Sequence, residues 1–448
     1  METWLLDLLR CPYCGTTLTL VENSALVRDT TRIESGVLGC ECCAFPVVSG
    51  IPVLIANDVA HAAIHALERD AGQGDQALLL LLGLDSSITP ETESAPPSDR
   101  AIRFRDLLSR PDSTTYRDTL RLLCPDGDAE VDYLMHRFSD PSYRVAEALL
   151  SACGQAGWPL DGLVLDLCGG AGHLTRAVGR ATHAPDAVAP ASPPDGDRTG
   201  TVTVTADLFF WKLWLATRFV SPGCPAVCCD ANHPLPFPRN TFSTVVLADA
   251  FAYIWHKRLL ADEMMRLVGA TGTIVMPHLH SAHGDNFSAG DTLSPRAYHS
   301  LFADQQPRLY ADSELFSRLV DEQVVDLSRP AAVPEDLGAE PSMTLVASHQ
   351  TDLFTRYQLP SDPPVRDSLI INPLYRVTRH GRQTRLTLTF PTPEYAEEFA
   401  ECRRYLPDTL TIDADLTSGD TVSAELVGDD YQALRRRQVI LDAPRRYR

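Results

Sequence analysis

The run Gly162-Leu163-Val164-Leu165-Asp166-Leu167-Cys168-Gly169-Gly170-Ala171-Gly172-His173-Leu174-Thr175 constrains this chain more than any other stretch. A short apolar segment ends on an acid, glycines follow, and an amphipathic segment starts at His173. That order describes a buried parallel strand feeding a helix through a tight turn. Gly170 and Gly172 permit positive φ, or the close approach of a ligand to the main chain. A glycine turn alone serves many nucleotide-binding folds, so the segments downstream decide its meaning.

Those segments keep a strict order. A second apolar strand, 201–206, ends on Asp207, followed by Leu208. A third, 225–228, leads to Cys229-Asp230-Ala231, then Leu235-Pro236-Phe237-Pro238 and Asn240-Thr241-Phe242. A fourth, 243–248, runs through Ala248 to Asp249, and a fifth, 272–276, follows a helix over about 255–268. From Gly162 to Met276 these residues resemble a class I S-adenosylmethionine-dependent methyltransferase of the small-molecule type, which carries a D-A-x-x-x-L-P-F-P-x-N-x-F signature after the third strand. The resemblance implies an α/β, Rossmann-like sheet with S-adenosylmethionine at the carboxyl ends of its strands. It implies that Asp166 orients the turn and the methionine amino group, that Asp207 accepts the ribose hydroxyls, and that Asp230 with the Ala231 amide faces the adenine. Cys168, Gly170, Gly172, Leu208, Ala248 and Asp249 complete the implied cofactor set. The plain alternative is that Asp207 and Asp230 only cap the helices after them. Cys168 stands where the motif's first glycine belongs, which is acceptable if its φ is negative. The Pro/Asp/Ala-rich insertion 181–200 reads as a disordered or surface loop.

A second motif lies at the start. Cys11-Pro12-Tyr13-Cys14-Gly15 and Cys40-Glu41-Cys42-Cys43 are two knuckles about 25 residues apart, the spacing of a tetrahedral zinc ribbon. So small a module has too little core to fold unaided, and metal would supply the deficit. The ending Phe45-Pro46-Val47-Val48-Ser49-Gly50-Ile51-Pro52-Val53-Leu54-Ile55 is similar to zinc-ribbon proteins that partner, or are fused to, methyltransferases. Over residues 4–57 the expected ligands are Cys11, Cys14, Cys40 and Cys43, with Cys42 as substitute, around a structural Zn²⁺.

At 448 residues, two or three domains are expected. The boundaries read as a zinc ribbon over 1–57, a helical lid or linker over 58–140, the cofactor-binding domain over 141–358, and an α+β appendage over 366–448. Helices are expected over 60–70, 75–84, 116–123, 129–138 and 141–154, with a loop over 85–99. In the appendage, strands are expected over 368–375, 385–390, 409–412 and 422–427, with a helix over 392–405. A formal charge of −20 argues against broad binding to a phosphate backbone, since the basic tail at 445–448 is short. No run of eighteen apolar residues indicates a membrane span, and the first residues lack a signal peptide's basic region. A cytoplasmic protein is expected, and its twelve cysteines read as reduced thiols and metal ligands.

Just past the fifth strand, His278, His280 and His283 fall within six residues. They would act as a general base on the methyl acceptor, hold a second metal with Asp285, or merely satisfy a polar loop. Tyr253, in Phe251-Ala252-Tyr253-Ile254-Trp255-His256, would form the opposite pocket wall. The leading expectation is methyl transfer to a small biosynthetic acceptor. The rivals are a cyclase or group transferase that keeps the cofactor without methylating, and a non-catalytic activator subunit. A homo-oligomer, or a protein partner bound through the ribbon or the appendage, fits each of them.

Overall fold

The computed structural model describes residues 1–69, 74–85, 97–124, 129–155, 162–182, 202–284 and 290–448. Most of the insertion read as a loop, and Asp285, lie outside the described residues.

The chain opens with a short helix α1 (Thr3–Leu8) and strands β1 (Thr19–Val21), β2 (Val27–Arg28), β3 (Ile33–Gly39), β4 (Ala44–Val48) and β5 (Ile51–Pro52). They form an antiparallel sheet in the order β1-β3-β4-β5, with β2 against β3. This small sheet shares a core with the central fold, where Leu5, Leu9 and Phe45 join Leu235 and Phe237, and its last residues bond to it. Val53 forms a parallel bridge with Cys228, and the Leu54 amide donates to the Cys228 carbonyl at 2.7 Å.

Six helices follow: α2 (Asp58–Arg69), α3 (Asp75–Leu81), α4 (Asp99–Leu108), α5 (Tyr116–Leu123), α6 (Ala129–His136) and α7 (Pro141–Gln155). Helix α4 has no counterpart in the sequence reading. It starts at a Ser98 cap whose hydroxyl accepts from the Ala101 amide, and it buries only Ala101 and Phe104, too sparse a stripe to stand out.

The central sheet holds β6 (Leu163–Leu167), β7 (Val202–Asp207), β8 (Ala226–Cys228), β9 (Thr244–Val246), β10 (Thr273–His280), β11 (Pro307–Ala311) and, after an outlying β12 (Val324–Asp326), β13 (Ser342–Ala347). Helices α8 (His173–Thr182), α9 (Phe210–Leu215), α10 (Lys257–Val268), α11 (Pro295–Leu301) and α12 (Asp312–Glu322) join them. The order is β11-β13-β10-β9-β6-β7-β8, parallel from β8 to β10, with β13 antiparallel to both its neighbours. The chain winds outward from β6 to β8, then returns to β9 on the other side of β6. Such a reversal opens a ligand crevice at the strands' carboxyl ends.

Alternation along each strand sends side chains to two cores. Val164, Val246 and Val275 join the helices and the C-terminal segment, whereas Leu165, Val245 and Ile274 join α10 and the N-terminal sheet.

Beyond β14 (Arg356–Gln358), which pairs with β12, come β15 (Ser368–Ile371), β16 (Tyr375–His380), β17 (Gln383–Leu388), α13 (Pro393–Glu398), β18 (Thr409–Ile412) and β19 (Ile440–Ala443). β15 pairs with β19, and β16-β17-β18 form a second small sheet. The strand expected over 422–427 is instead a helical turn, Ala424–Val427, closed by Gly428 at φ +58°. The segment is stitched to the central fold. Arg176 of α8 pairs with Asp367 at 2.7 Å and Asp442 at 3.0 Å. Tyr447, 1% exposed, stacks on Tyr116, and its hydroxyl lies 3.2 Å from His173 Nε2.

Candidate active site and cysteine cluster

At the end of β6, Asp166 is 1% exposed and accepts from the Thr175 hydroxyl at 2.6 Å. Burial, with a further push from the Asp207 charge, raises its carboxyl to about 7. Gly169 is required by space: a Cβ there would sit 2.4 Å from Thr205 Oγ1 and 2.7 Å from Asp166 Oδ2. Gly172, at φ +86°, lies against Ala216. Gly170, at φ +54°, has nothing within 4 Å of where a Cβ would be, so its Cα faces open space. Cys168 does not meet the condition of a negative φ. It sits at +58°, a left-handed conformation that costs a non-glycine residue roughly 1–2 kcal/mol. The turn keeps the motif's backbone path with a cysteine in place of the glycine that would adopt it freely.

Asp207, 8% exposed at the end of β7, accepts from the Gly170 amide at 2.9 Å and from the Phe209 amide at 2.8 Å. One carboxylate thus ties the glycine turn to the second strand. Leu208 beside it is 43% exposed, an apolar side chain left uncovered at the crevice. Asp230 accepts from the Asn232 amide at 2.8 Å and lies 3.2 Å from His233, while Ala231 is buried. These bonds within the loop are those of a turn-forming acid, and they leave the Asp230 side chain partly exposed.

The histidines are where expectation and structure part most. Strand β10 continues through His280, with its register slipping against β13 between Met276 and Leu279. Pro277, which has no amide to donate, and His278, at φ +58°, mark this bulge. His278 and His280 therefore belong to a strand, their rings 4.9 Å apart, and not to a loop. His280 Nε2 lies 3.1 Å from Asp249 Oδ1, and His278 Nδ1 lies 3.1 Å from Asp312 Oδ2. Burial alone would lower the His278 pKa, but the Asp312 hydrogen bond and the Asp249 charge outweigh it and hold it at about 9. A histidine charged at neutral pH is a proton donor, which weakens the general-base expectation for His278. His283 is exposed on the following turn, and Tyr253 is 55% exposed. Neither shares in the His278–His280 ring contact.

Sequence reasoning did not find the partners of Asp249. Tyr133 of α6 donates to Asp249 Oδ2 at 2.8 Å, and Arg137 lies 4.0 Å from the same oxygen while pairing with Asp140. Asp249, at φ +55°, is held ionised by His280, His278 and Arg137 against the pull of burial. No local signal marks these contacts, since Tyr133 and Asp249 are 116 positions apart.

In the N-terminal sheet the sulfurs of Cys11, Cys14, Cys40 and Cys42 all lie within 4.8 Å of one another. Neighbouring pairs are 3.6 Å (Cys11–Cys42), 3.7 Å (Cys40–Cys42) and 3.8 Å (Cys14–Cys40) apart. Four thiolates about 2.3 Å from one zinc would stand ~3.8 Å apart, so the set fits a tetrahedral ion. The expected ligand Cys43 is replaced in this group by Cys42. Cys43 starts the return into β4: its carbonyl accepts from the Cys40 amide, and its own amide donates to Cys40 Sγ at 3.3 Å.

No family model matches the chain, and no curated protein matches it. Among solved structures, a SAM-dependent methyltransferase from Aquifex aeolicus overlaps 48% of this chain and 97% of its own, at 13% identity and a TM-score of 0.31. Geranyl diphosphate C-methyltransferase from Streptomyces coelicolor A3(2) overlaps 43% and 72%, at 13% identity and a TM-score of 0.29. A chain of the Haloferax volcanii complex containing the Trm112 methyltransferase activator overlaps 49% and 95%, at 16% identity and a TM-score of 0.32. The sheet's parallel core, switch point and glycine turn are those of a Rossmann-like α/β fold. No helix among the described residues is long and apolar enough to cross a membrane.

Proposed function

We propose that this chain is an S-adenosylmethionine-dependent methyltransferase for a small-molecule acceptor, with a structural zinc bound by Cys11, Cys14, Cys40 and Cys42. The observation that carries it is the coupling of the glycine turn after β6 to the β7 acid, Gly170 to Asp207, beside the exposed Leu208 at the carboxyl end of β7. In this reading Asp207 takes the ribose hydroxyls through its remaining lone pairs, and Leu208 covers the adenine. Asp230 and Ala231 lie at the adenine rim, and Asp166 holds the turn and faces the amino group. Ala248 and Asp249 border the methyl group. The acceptor attacks the sulfonium methyl in line, and most of the acceleration comes from alignment. His278 and His280 lie beside Asp249 on the acceptor side, while the exposed His283 and Tyr253 stand apart from them.

Calorimetry with S-adenosylhomocysteine tests the cofactor site. Asp207→Asn should weaken binding at least tenfold, because it removes a charged acceptor worth about 1.5–3 kcal/mol. His278→Ala or His280→Ala should leave cofactor affinity within a few-fold of wild type. Equal affinity in Asp207→Asn and the native protein would remove the assignment of β7 to the ribose.

A further inference from the structure

We propose that Asp249, His278 and His280 form a binding site for a divalent transition-metal cation on the acceptor side of the crevice. One ligand atom from each residue lies within 4.8 Å of the other two. Two imidazoles and a carboxylate suit Mn²⁺, Fe²⁺, Co²⁺ or Zn²⁺, and three protein ligands leave positions open for acceptor oxygens. Ligands about 2.1 Å from a common ion stand ~3–4.2 Å apart, and the 3.1 Å between His280 Nε2 and Asp249 Oδ1 already lies in that range.

Three features separate this cluster from a chance meeting of polar groups. Asp249 and His278 both take positive φ, at +55° and +58°, Asp249 past the end of β9 and His278 at the irregularity within β10. Such strain at non-glycine residues concentrates at functional sites. His278 also carries the outer shell of a metal-binding imidazole. Its Nδ1 meets Asp312 Oδ2, and Asp312 Oδ1 accepts from the Thr344 hydroxyl at 2.7 Å, which leaves His278 Nε2, whose proton the ion would displace, as the ligand atom. Finally, Tyr133 holds Asp249 Oδ2 and so leaves Oδ1 toward His280. Arg137, 4.0 Å from Asp249, opposes a cation, so micromolar affinity is the expectation.

The site deepens the methyltransferase reading and rests on it only for its use. A hydroxyl acceptor bound to the ion loses its proton to solvent more readily. The oxygen anion then forms the new C–O bond as the C–S bond breaks, with its electron pair left on sulfur as S-adenosylhomocysteine. The acceptor class is accordingly an oxygen nucleophile with a second oxygen able to chelate.

Mn²⁺ is the probe, because thiolates bind it poorly and the cysteine cluster will not compete. Titration of the full chain, followed by loss of the free-ion electron paramagnetic resonance signal, should give one bound Mn²⁺. His280→Gln and Asp249→Asn should each weaken it tenfold or more, and Asp312→Asn by 10–100-fold. Wild type that binds no more Mn²⁺ than the Asp249→Asn/His280→Gln double variant overturns the site. Calorimetry with S-adenosylhomocysteine on the same samples keeps the two readings apart. Cofactor binding without Mn²⁺ ends the metal proposal alone, and Mn²⁺ binding without cofactor ends the cofactor assignment while the metal site stands.

Discussion

At the scale of single residues, Asp166 makes the sharpest prediction. Its carboxyl, raised to about 7 chiefly by burial, is largely protonated in slightly acidic solution. If it faces the ammonium of S-adenosylmethionine, ligand binding must first remove that proton. Affinity for S-adenosylhomocysteine should therefore be flat above about pH 8 and fall below pH 7, approaching tenfold per pH unit. Asp166→Asn should abolish the slope, and isothermal titrations at several pH values read it directly. Stability runs the other way. A carboxyl raised in the folded state stabilises fully below its unfolded value and loses that contribution as pH climbs to about 7. The unliganded Asp166→Asn variant should then resist alkaline denaturation better than wild type. Asp166 was legible in the sequence because its neighbours announce it. The Tyr133, Arg137 and Asp312 contacts around Asp249 and His278 were not, since they are made by residues far along the chain.

At the scale of elements, apolar strands read well and strands of mixed sequence read poorly. The expected strand positions match β6 to β10 because each is an apolar run ending on an acid, a turn or a small residue. β11 and β19, at sheet borders, carry mixed sequences whose pairing is decided by the partner strand. β10 ran longer than expected because Pro277 looks like a terminator, and a bulge lets the strand pass it. The cysteine hairpin shows the same limit at finer grain. Its loop, Cys40 to Cys43, offers three sulfurs, and the β3–β4 register, with Gly39 opposite Ala44, selects among them. Cys42→Ser should lose bound zinc and Cys43→Ser should retain it, as metal analysis of protein purified without added zinc will record. Retention in Cys42→Ser with loss in Cys43→Ser would reverse the register.

At the scale of the molecule, the surroundings of the sheet share its two cores, and single buried residues within them carry high consequence. Tyr447 fills a buried site among Tyr116, Phe138 and His173, one residue past the glycine turn. Tyr447→Ala should cost about 3–5 kcal/mol, visible as a lower melting temperature. Because His173 starts α8, it should weaken S-adenosylhomocysteine binding as well. Tyr447→Phe, which keeps the stacking and drops the hydroxyl's bonds to His173 and to the Leu134 carbonyl, should cost much less. The N-terminal sheet adds to its shared core a bridge from Val53 to Cys228 at the β8 edge, with Leu54 bonded to Cys228. Being on the same chain, it meets its docking edge at an effective concentration of the order of millimolar, whatever the protein's own dilution. A two-chain arrangement of the same surfaces would come apart at low abundance and be open to exchange or competition. Here docking is independent of expression level, and another chain that seeks the β8 edge must first displace a tethered incumbent.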